Sequence, residues 1–217
     1  MLRGVVLDFD GTLVDSYDLH LRCWLRTFQK FGIGSDASNV MKHLGKSHID
    51  MANALVPGIN DELAMEIVST EKELFKDSKR ELRLFPSAIE VLSEAKRRGI
   101  RCAIASSNAR ADTREMVESF GIDQFISAIT GADEVDEGKP HPALIILAAE
   151  RLGIDFDEGL VVGDTIHDVL AGTRAGMRTV LVVGRTMIHT DRYFSSEACA
   201  DYLIPDIKYL TNVLDME

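Results

Sequence analysis

The chain has 217 residues, 46% of them hydrophobic, which is enough to bury a full core and to carry a second small unit. Its formal net charge of −11 repels a nucleic-acid backbone, and its Lys and Arg residues form no long basic block, so a nucleic-acid partner is not expected. Cys23, Cys102 and Cys199 are widely separated and in no metal-ligand spacing, as expected of reduced thiols in a cytoplasmic protein. There is no signal-peptide architecture and no apolar run long enough to cross a bilayer, so no membrane partner is expected.

In chain order, the first predicted element is a strand over residues 4 to 8. Residues 16 to 84 follow, with helical periodicity, no convincing strand, and breaks at Gly32 to Ser38 and Pro57 to Asn60. That length is too great for a loop, so the segment reads as an inserted helical cap with hinges near Asp15 to Asp18 and Leu82 to Pro86. Beyond it, apolar runs near 100 to 105, 126 to 130, 160 to 163 and 178 to 183 read as strands. Helices are expected after 85, 110, 141, 167 and 206, with stops at Gly99, Gly121, Gly153 and Gly176. The alternation predicts an α/β fold with a doubly wound parallel sheet. Residues 1–15 and 85–217 would form the core domain and residues 16–84 the cap.

The chemistry lies at the ends of the apolar runs. Asp8 and Asp10 stand in LDFDGTLVDS, directly after Val5, Val6 and Leu7, where a buried strand reaches its exposed end. Two residues apart on an extended chain, their side chains point the same way, and Gly11 lets the backbone turn past whatever they bind. Such close carboxylates disfavour joint ionisation, and a hard divalent cation removes the conflict. One carboxylate could then attack while the other moves protons. Three further clusters follow. Ser106, Ser107 and Asn108 end the second strand with groups able to donate to phosphate oxygens. Lys139 precedes a helix N-terminus, and Asp164 with Asp168 follows Leu160 to Val162. Singly, these read as a capped turn, a solvated lysine, and an N-cap with a first-turn acid. Together they read as the parts needed for phosphoryl transfer.

In this order and at about this spacing, the four clusters resemble the motifs of the haloacid dehalogenase superfamily. The resemblance spans nearly the whole chain and implies a Rossmann-like core. Asp8 would be the nucleophile that becomes an aspartyl phosphate, and Asp10 the general acid and then base. Ser106, Ser107 and Lys139 would hold the phosphoryl group. Asp8, the Asp10 backbone carbonyl and Asp164 would bind Mg²⁺, with Asp168 acting through water. Family members that dehalogenate or cleave phosphonates lack the second aspartate of the first motif, so Asp10 points to phosphate esters.

Two features of the cap resemble beta-phosphoglucomutase and its sugar-phosphatase relatives: the DSxxxHxxxW entry with Ser16, His20 and Trp24, and the loop from Leu44 to Asp50 with Lys46 and His48. His20, Lys46 and His48 are therefore candidate substrate contacts, although a capping histidine and a solvated lysine are equally open readings. Thr12, His48 and Gly163 depart from the mutase pattern, and the run Gly163 to Asp168 looks like phosphoglycolate phosphatases and pyrophosphatases with the same cap type. The expected function is Mg²⁺-dependent hydrolysis of a small phosphorylated metabolite. A sugar phosphomutase and a non-catalytic phosphometabolite-binding regulator stay open as alternatives, and no oligomeric state is assigned.

Overall fold

A computed structural model describes residues 1–44, 46–184 and 199–216. Its contacts divide the chain into two units, Met1–Val14 with Leu84–Glu217, and Asp15–Arg83.

The first unit is built on one sheet with strands β1 (Gly4–Leu7), β2 (Arg101–Ser106), β3 (Ile126–Gly131), β4 (Gly159–Gly163), β5 (Arg178–Val182) and β6 (Tyr202–Ile204). Among the described residues these strands pair in parallel, in the spatial order β3-β2-β1-β4-β5-β6. From β1 the chain runs outward to β2 and β3, then returns to place β4 on the other side. The strand order therefore reverses at β1, where a doubly wound sheet opens a crevice beyond its carboxyl ends. Every residue of β1 and β4 is buried, which is why these strands read as unbroken apolar runs. Leu7 is in register with Ile104 of β2 and Val162 of β4. The residues just beyond these three start from one level.

Among the described residues, the second unit is built from the α-helices α1 (Tyr17–Lys30), α2 (Ala37–Met41), α3 (His48–Leu55) and α4 (Asp61–Ser78), followed by a short 3-10 turn at Lys79–Glu81. Asp36, Ser47 and Asn60 accept hydrogen bonds from the backbone N–H of Asn39, Asp50 and Leu63, which starts α2, α3 and α4 at those positions. In α1, Leu19, Cys23, Trp24, Thr27 and Phe28 recur at helical spacing and are buried. Trp24 and Phe28 pack with Val40, Met51, Ala52, Leu55, Ala64 and Ile67 into a core belonging to this unit alone.

Helices α5 (Ala88–Arg97), α6 (Arg110–Ser119), α7 (Ala143–Leu152), α8 (Ile166–Arg174) and α9 (Leu210–Met216) complete the first unit. Leu144, Ile145, Ala148, Ala149 and Leu152 of α7 pack on Val6, Ala103, Ala105 and Val161, small or branched side chains that let the helix lie close on the sheet. The fold class is the expected α/β parallel sheet. The sixth strand, β6, was not predicted: it has three residues and a half-exposed edge position, too short to show a periodicity. Gly45, within the predicted cap loop, lies outside the described residues. Among the described residues, no helix is long and apolar enough to cross a membrane.

Candidate active site

At the end of β1 the Asp8 N–H still donates to the Val162 carbonyl at 2.8 Å, so the strand pairing carries Asp8 to the carboxyl edge of the sheet. The chain then folds tightly: Leu13 N and Val14 N both donate to the Phe9 carbonyl at 3.0 Å, and Gly11 N to the Val14 carbonyl at 2.8 Å. Gly11 has φ +80°, and a Cβ there would run into the Asp164 carboxylate. Glycine is thus required both by the turn and by the acid that faces it. The Thr12 hydroxyl donates to Asp164 Oδ1 at 3.4 Å.

Lys139, four residues before α7, is only 3% exposed. Its Nζ lies 2.6 Å from Asp8 Oδ1 and 2.6 Å from Asp168 Oδ1. The other oxygen of Asp168 accepts from Thr165 N at 3.1 Å and Thr165 Oγ1 at 2.6 Å. One carboxylate therefore both secures the first turn of α8 and anchors the ammonium. Gly163 belongs to the same packing, because a Cβ on it would strike Cβ and Cγ of Asp168. No side chain fits at this position while Asp168 stays where it is.

Asp8, Asp164 and Asp168 are buried, and each brings an oxygen within 4.8 Å of the others. Burial lifts the Asp8 carboxyl to about 7; Lys139 opposes the shift, and the negative charges of Asp168 and Asp10 add to it. Asp164 is pushed well above the usual carboxylate range by burial, reinforced by Asp8 and Asp168. Burial works against the charge of Lys139, but Asp168 and Asp8 outweigh it and hold its ammonium above the ordinary lysine range. Three carboxylates around one ammonium leave excess negative charge in a dry site, and the donor set is all oxygen. Those properties fit a small hard divalent cation.

Asp10 is held separately. The Asn108 side-chain amide donates to Asp10 Oδ2 at 2.6 Å, while Asn108 N donates to the buried Ser106 hydroxyl oxygen at 3.1 Å. Ser106 thus shapes the turn that aims Asn108 at Asp10. Ser107 is half-buried on the same turn. The sequence grouped Asn108 with possible phosphate donors and missed its link to Asp10, which joins residues 98 apart in the chain.

Within the helical unit, His20 and His48 both face Glu71, a residue the sequence reading did not single out. His20 Nδ1 lies 3.5 Å from Glu71 Oε1 and His48 Nε2 lies 3.2 Å from Oε2. Burial opposes the Glu71 charge, but the two imidazoles hold its carboxyl at about 2. The available signal was an acid on the buried stripe of α4, following Ala64 and Ile67. Lys46 is half-buried, with its N–H donating to the His43 carbonyl at 3.3 Å.

A reversed parallel sheet with buried carboxylates and a lysine at its carboxyl edge defines an α/β enzyme of the acid-cluster type. The chain belongs to the haloacid dehalogenase-like hydrolase family, whose model matches residues 5–182. Pyrophosphatase PpaX of Oceanobacillus iheyensis is 28% identical over 214 residues, covering 98% of this chain and 97% of that protein. The Bacillus velezensis PpaX is 30% identical over 180 residues, 82% of each chain. Among solved structures, a hydrolase from Pseudomonas syringae has a TM-score of 0.84 at 26% identity, covering 99% of this chain and 98% of its own. The beta-phosphoglucomutase of Clostridium difficile also reaches 0.84, at 17% identity and with 99% and 96% covered, a likeness of fold alone.

Proposed function

We propose that the protein is a Mg²⁺-dependent phosphatase that hydrolyses a small phosphorylated metabolite through an aspartyl phosphate on Asp8. The observation that carries this reading is the pairing of Asp8 Oδ1 with Lys139 Nζ at 2.6 Å inside a buried carboxylate cluster. A carboxylate in that setting has one oxygen oriented by the ammonium, which leaves the other to attack phosphorus in line with the leaving oxygen.

In the first step the Asp8 carboxylate forms the new bond to phosphorus while the bond to the leaving alkoxide breaks, and Asp10 gives that oxygen its proton. In the second step Asp10 takes a proton from water, which attacks the acyl phosphate and frees Asp8 and inorganic phosphate. Lys139 balances charge on the transferred group, and Asp168 keeps the lysine in place. Asp8, the Asp10 carbonyl and Asp164 would hold the cation, with Asp168 behind them; a bound Mg²⁺ supplies positive charge to the phosphoryl oxygens and favours the ionised form of Asp8. Asn108 fixes the rotamer of Asp10. His20, Lys46 and His48 are the cap candidates for substrate contact; His20 and His48 face Glu71, and Lys46 keeps the selectivity reading.

Hydrolysis is favoured over a mutase because Gly163 leaves no room for a side chain against Asp168. The relatives named as pyrophosphatases support an anionic phosphorylated substrate of modest size. The test is phosphate release from a panel of phosphomonoesters, sugar phosphates and pyrophosphate, with and without Mg²⁺. Release that needs Mg²⁺ and disappears in Asp8→Asn is expected, with beryllium fluoride protecting Asp8 in the native chain. Substantial turnover by Asp8→Asn would rule out covalent catalysis at this residue, and transfer to a sugar hydroxyl in preference to water would favour the mutase.

A further inference from the structure

The helical unit contains a second cluster with different chemistry. His20 comes from α1, His48 is the first residue of α3, and Glu71 lies on the buried stripe of α4. Each offers one ligand atom, and the three atoms lie within 4.8 Å of one another. We propose that His20, His48 and Glu71 form a binding site for a zinc-type divalent transition metal, distinct from the carboxylate cluster of the sheet unit.

Geometry supports it first. Bonds of about 2.0–2.2 Å at tetrahedral angles set neighbouring ligand atoms about 3.3 Å apart. The separations here are 3.5 Å for His20 Nδ1 to Glu71 Oε1 and 3.2 Å for His48 Nε2 to Glu71 Oε2. They run to different oxygens of Glu71 and are close to that edge length, and with one ligand atom from each residue the three lie within 4.8 Å of one another, near enough for small side-chain rotations to bring them onto one ion.

The state of Glu71 is the second, independent observation. The residue is 0% exposed, and neither of its carboxylate oxygens accepts a hydrogen bond within the described structure. The two imidazole nitrogens stand at ion-pair distance from these oxygens. A buried carboxylate left this way carries a heavy desolvation cost. A metal ion would satisfy the oxygens and use the imidazole lone pairs at once.

The surroundings restrain the ligands. The Phe75 ring stacks on His20 with centroids 4.3 Å apart and planes 14° from parallel, and the Trp24 ring centroid is 6.2 Å from that of His48. Each histidine side chain is 13% exposed, so a fourth position can open to water. Two imidazoles with one carboxylate suit zinc, cobalt or nickel, whereas the all-oxygen cluster of Asp8, Asp164 and Asp168 suits Mg²⁺. The difference in softness separates the two sites experimentally. An ion held by α1, α3 and α4 together would also tie three helices of the unit to one point, so binding stabilises the folded chain.

The test is titration of the full chain with Co²⁺ in excess Mg²⁺, read by visible absorption and by Zn²⁺ displacement, with melting temperature as a second readout. One equivalent of Co²⁺ with visible bands of a low-coordinate nitrogen-oxygen site is expected, together with a rise in melting temperature. Asp164→Asn retains it. His48→Ala and Glu71→Gln weaken it by more than about 100-fold, beyond the loss typical of removing a group behind a ligand. Absence of Co²⁺ binding in excess Mg²⁺, its loss in Asp164→Asn, or unchanged binding in His48→Ala would each overturn the proposal. His48→Ala decides the matter alone if Glu71→Gln does not fold, because the His48 side chain is partly exposed.

Discussion

The Asn108 side-chain amide donates to Asp10 Oδ2 across 2.6 Å, a direct restraint on the side chain assigned to proton transfer. Its length is that of a charge-assisted hydrogen bond, which fixes the carboxylate rotamer. Asn108→Ala is therefore expected to lower kcat without weakening Mg²⁺ binding. General acid–base help is worth about 10² to 10⁴ in rate. Asp10→Ala should lose that amount, and Asn108→Ala a smaller part of it. Steady-state kinetics on one ester with both variants checks the order; equal losses would mean that Asn108 itself contacts the reacting group.

Lys139 is the counter-charge for Asp8 and Asp168 in a site that water barely reaches. Removing one partner of a buried ion pair typically costs about 3–5 kcal/mol, because the other charge is left unpaired. Lys139→Met is expected to destabilise the metal-free protein by about that amount in urea unfolding. Added Mg²⁺ should recover part of the loss, since it restores positive charge beside the same carboxylates. Activity should stay low even at saturating Mg²⁺, because the phosphoryl group loses its own cation.

The strands that carry this site were legible because β1 and β4 are buried on both faces and read as apolar runs, each ending in an acid. What brings the ends of β1, β2 and β4, and with them Asp8, Ser106 and Asp164, to one edge of the sheet is the register of Leu7 with Ile104 and Val162, and register between distant strands leaves no local mark in a sequence. The same holds for Lys139, whose partner Asp8 is 131 residues away. Taken alone, Lys139 has the pattern of a solvated loop residue. Glu71 was overlooked because acids on long helices are ordinarily solvated, and only the apolar stripe of Ala64 and Ile67 marks it as inward. Strand β6 escaped because three residues at a sheet edge carry too little alternation.

Gly163 is tested by giving it a side chain. A Cβ there meets Cβ and Cγ of Asp168, so Gly163→Glu must displace the carboxylate that anchors Lys139. Overpacking of this kind costs about 1–3 kcal/mol. Lower stability and loss of phosphatase activity are expected together. A stable Gly163→Glu protein that kept its activity would show that Asp168 can move without consequence, and would remove the packing argument against a mutase.

The final prediction is the pH dependence of stability without metal. Asp8 rises to about 7 and Asp164 moves in the same direction, so across the range from about pH 5 to 8 the folded chain holds protons that the unfolded chain has released. A group whose acid form is favoured by folding contributes most below its unfolded pKa, and the contribution is lost as pH climbs through the folded value. Stability in EDTA should then fall with rising pH, by at most about 1.4 kcal/mol per pH unit for each such group. Glu71, held at about 2, has the opposite sign, but its contribution is lost only below the usual glutamate range, outside this window. Lys139 changes only above the ordinary lysine pKa. For a chain of this size 1 kcal/mol shifts the melting temperature by about 2–4 °C, so an increase on the order of 5 °C is expected between pH 8 and pH 5. Asp8→Asn should flatten the profile, because an amide carries no titration. Mg²⁺ should flatten it as well, by stabilising the ionised carboxylates at high pH. A melting temperature that instead rose with pH in EDTA would show that these acids are ionised in the empty site, and that Lys139 alone balances them.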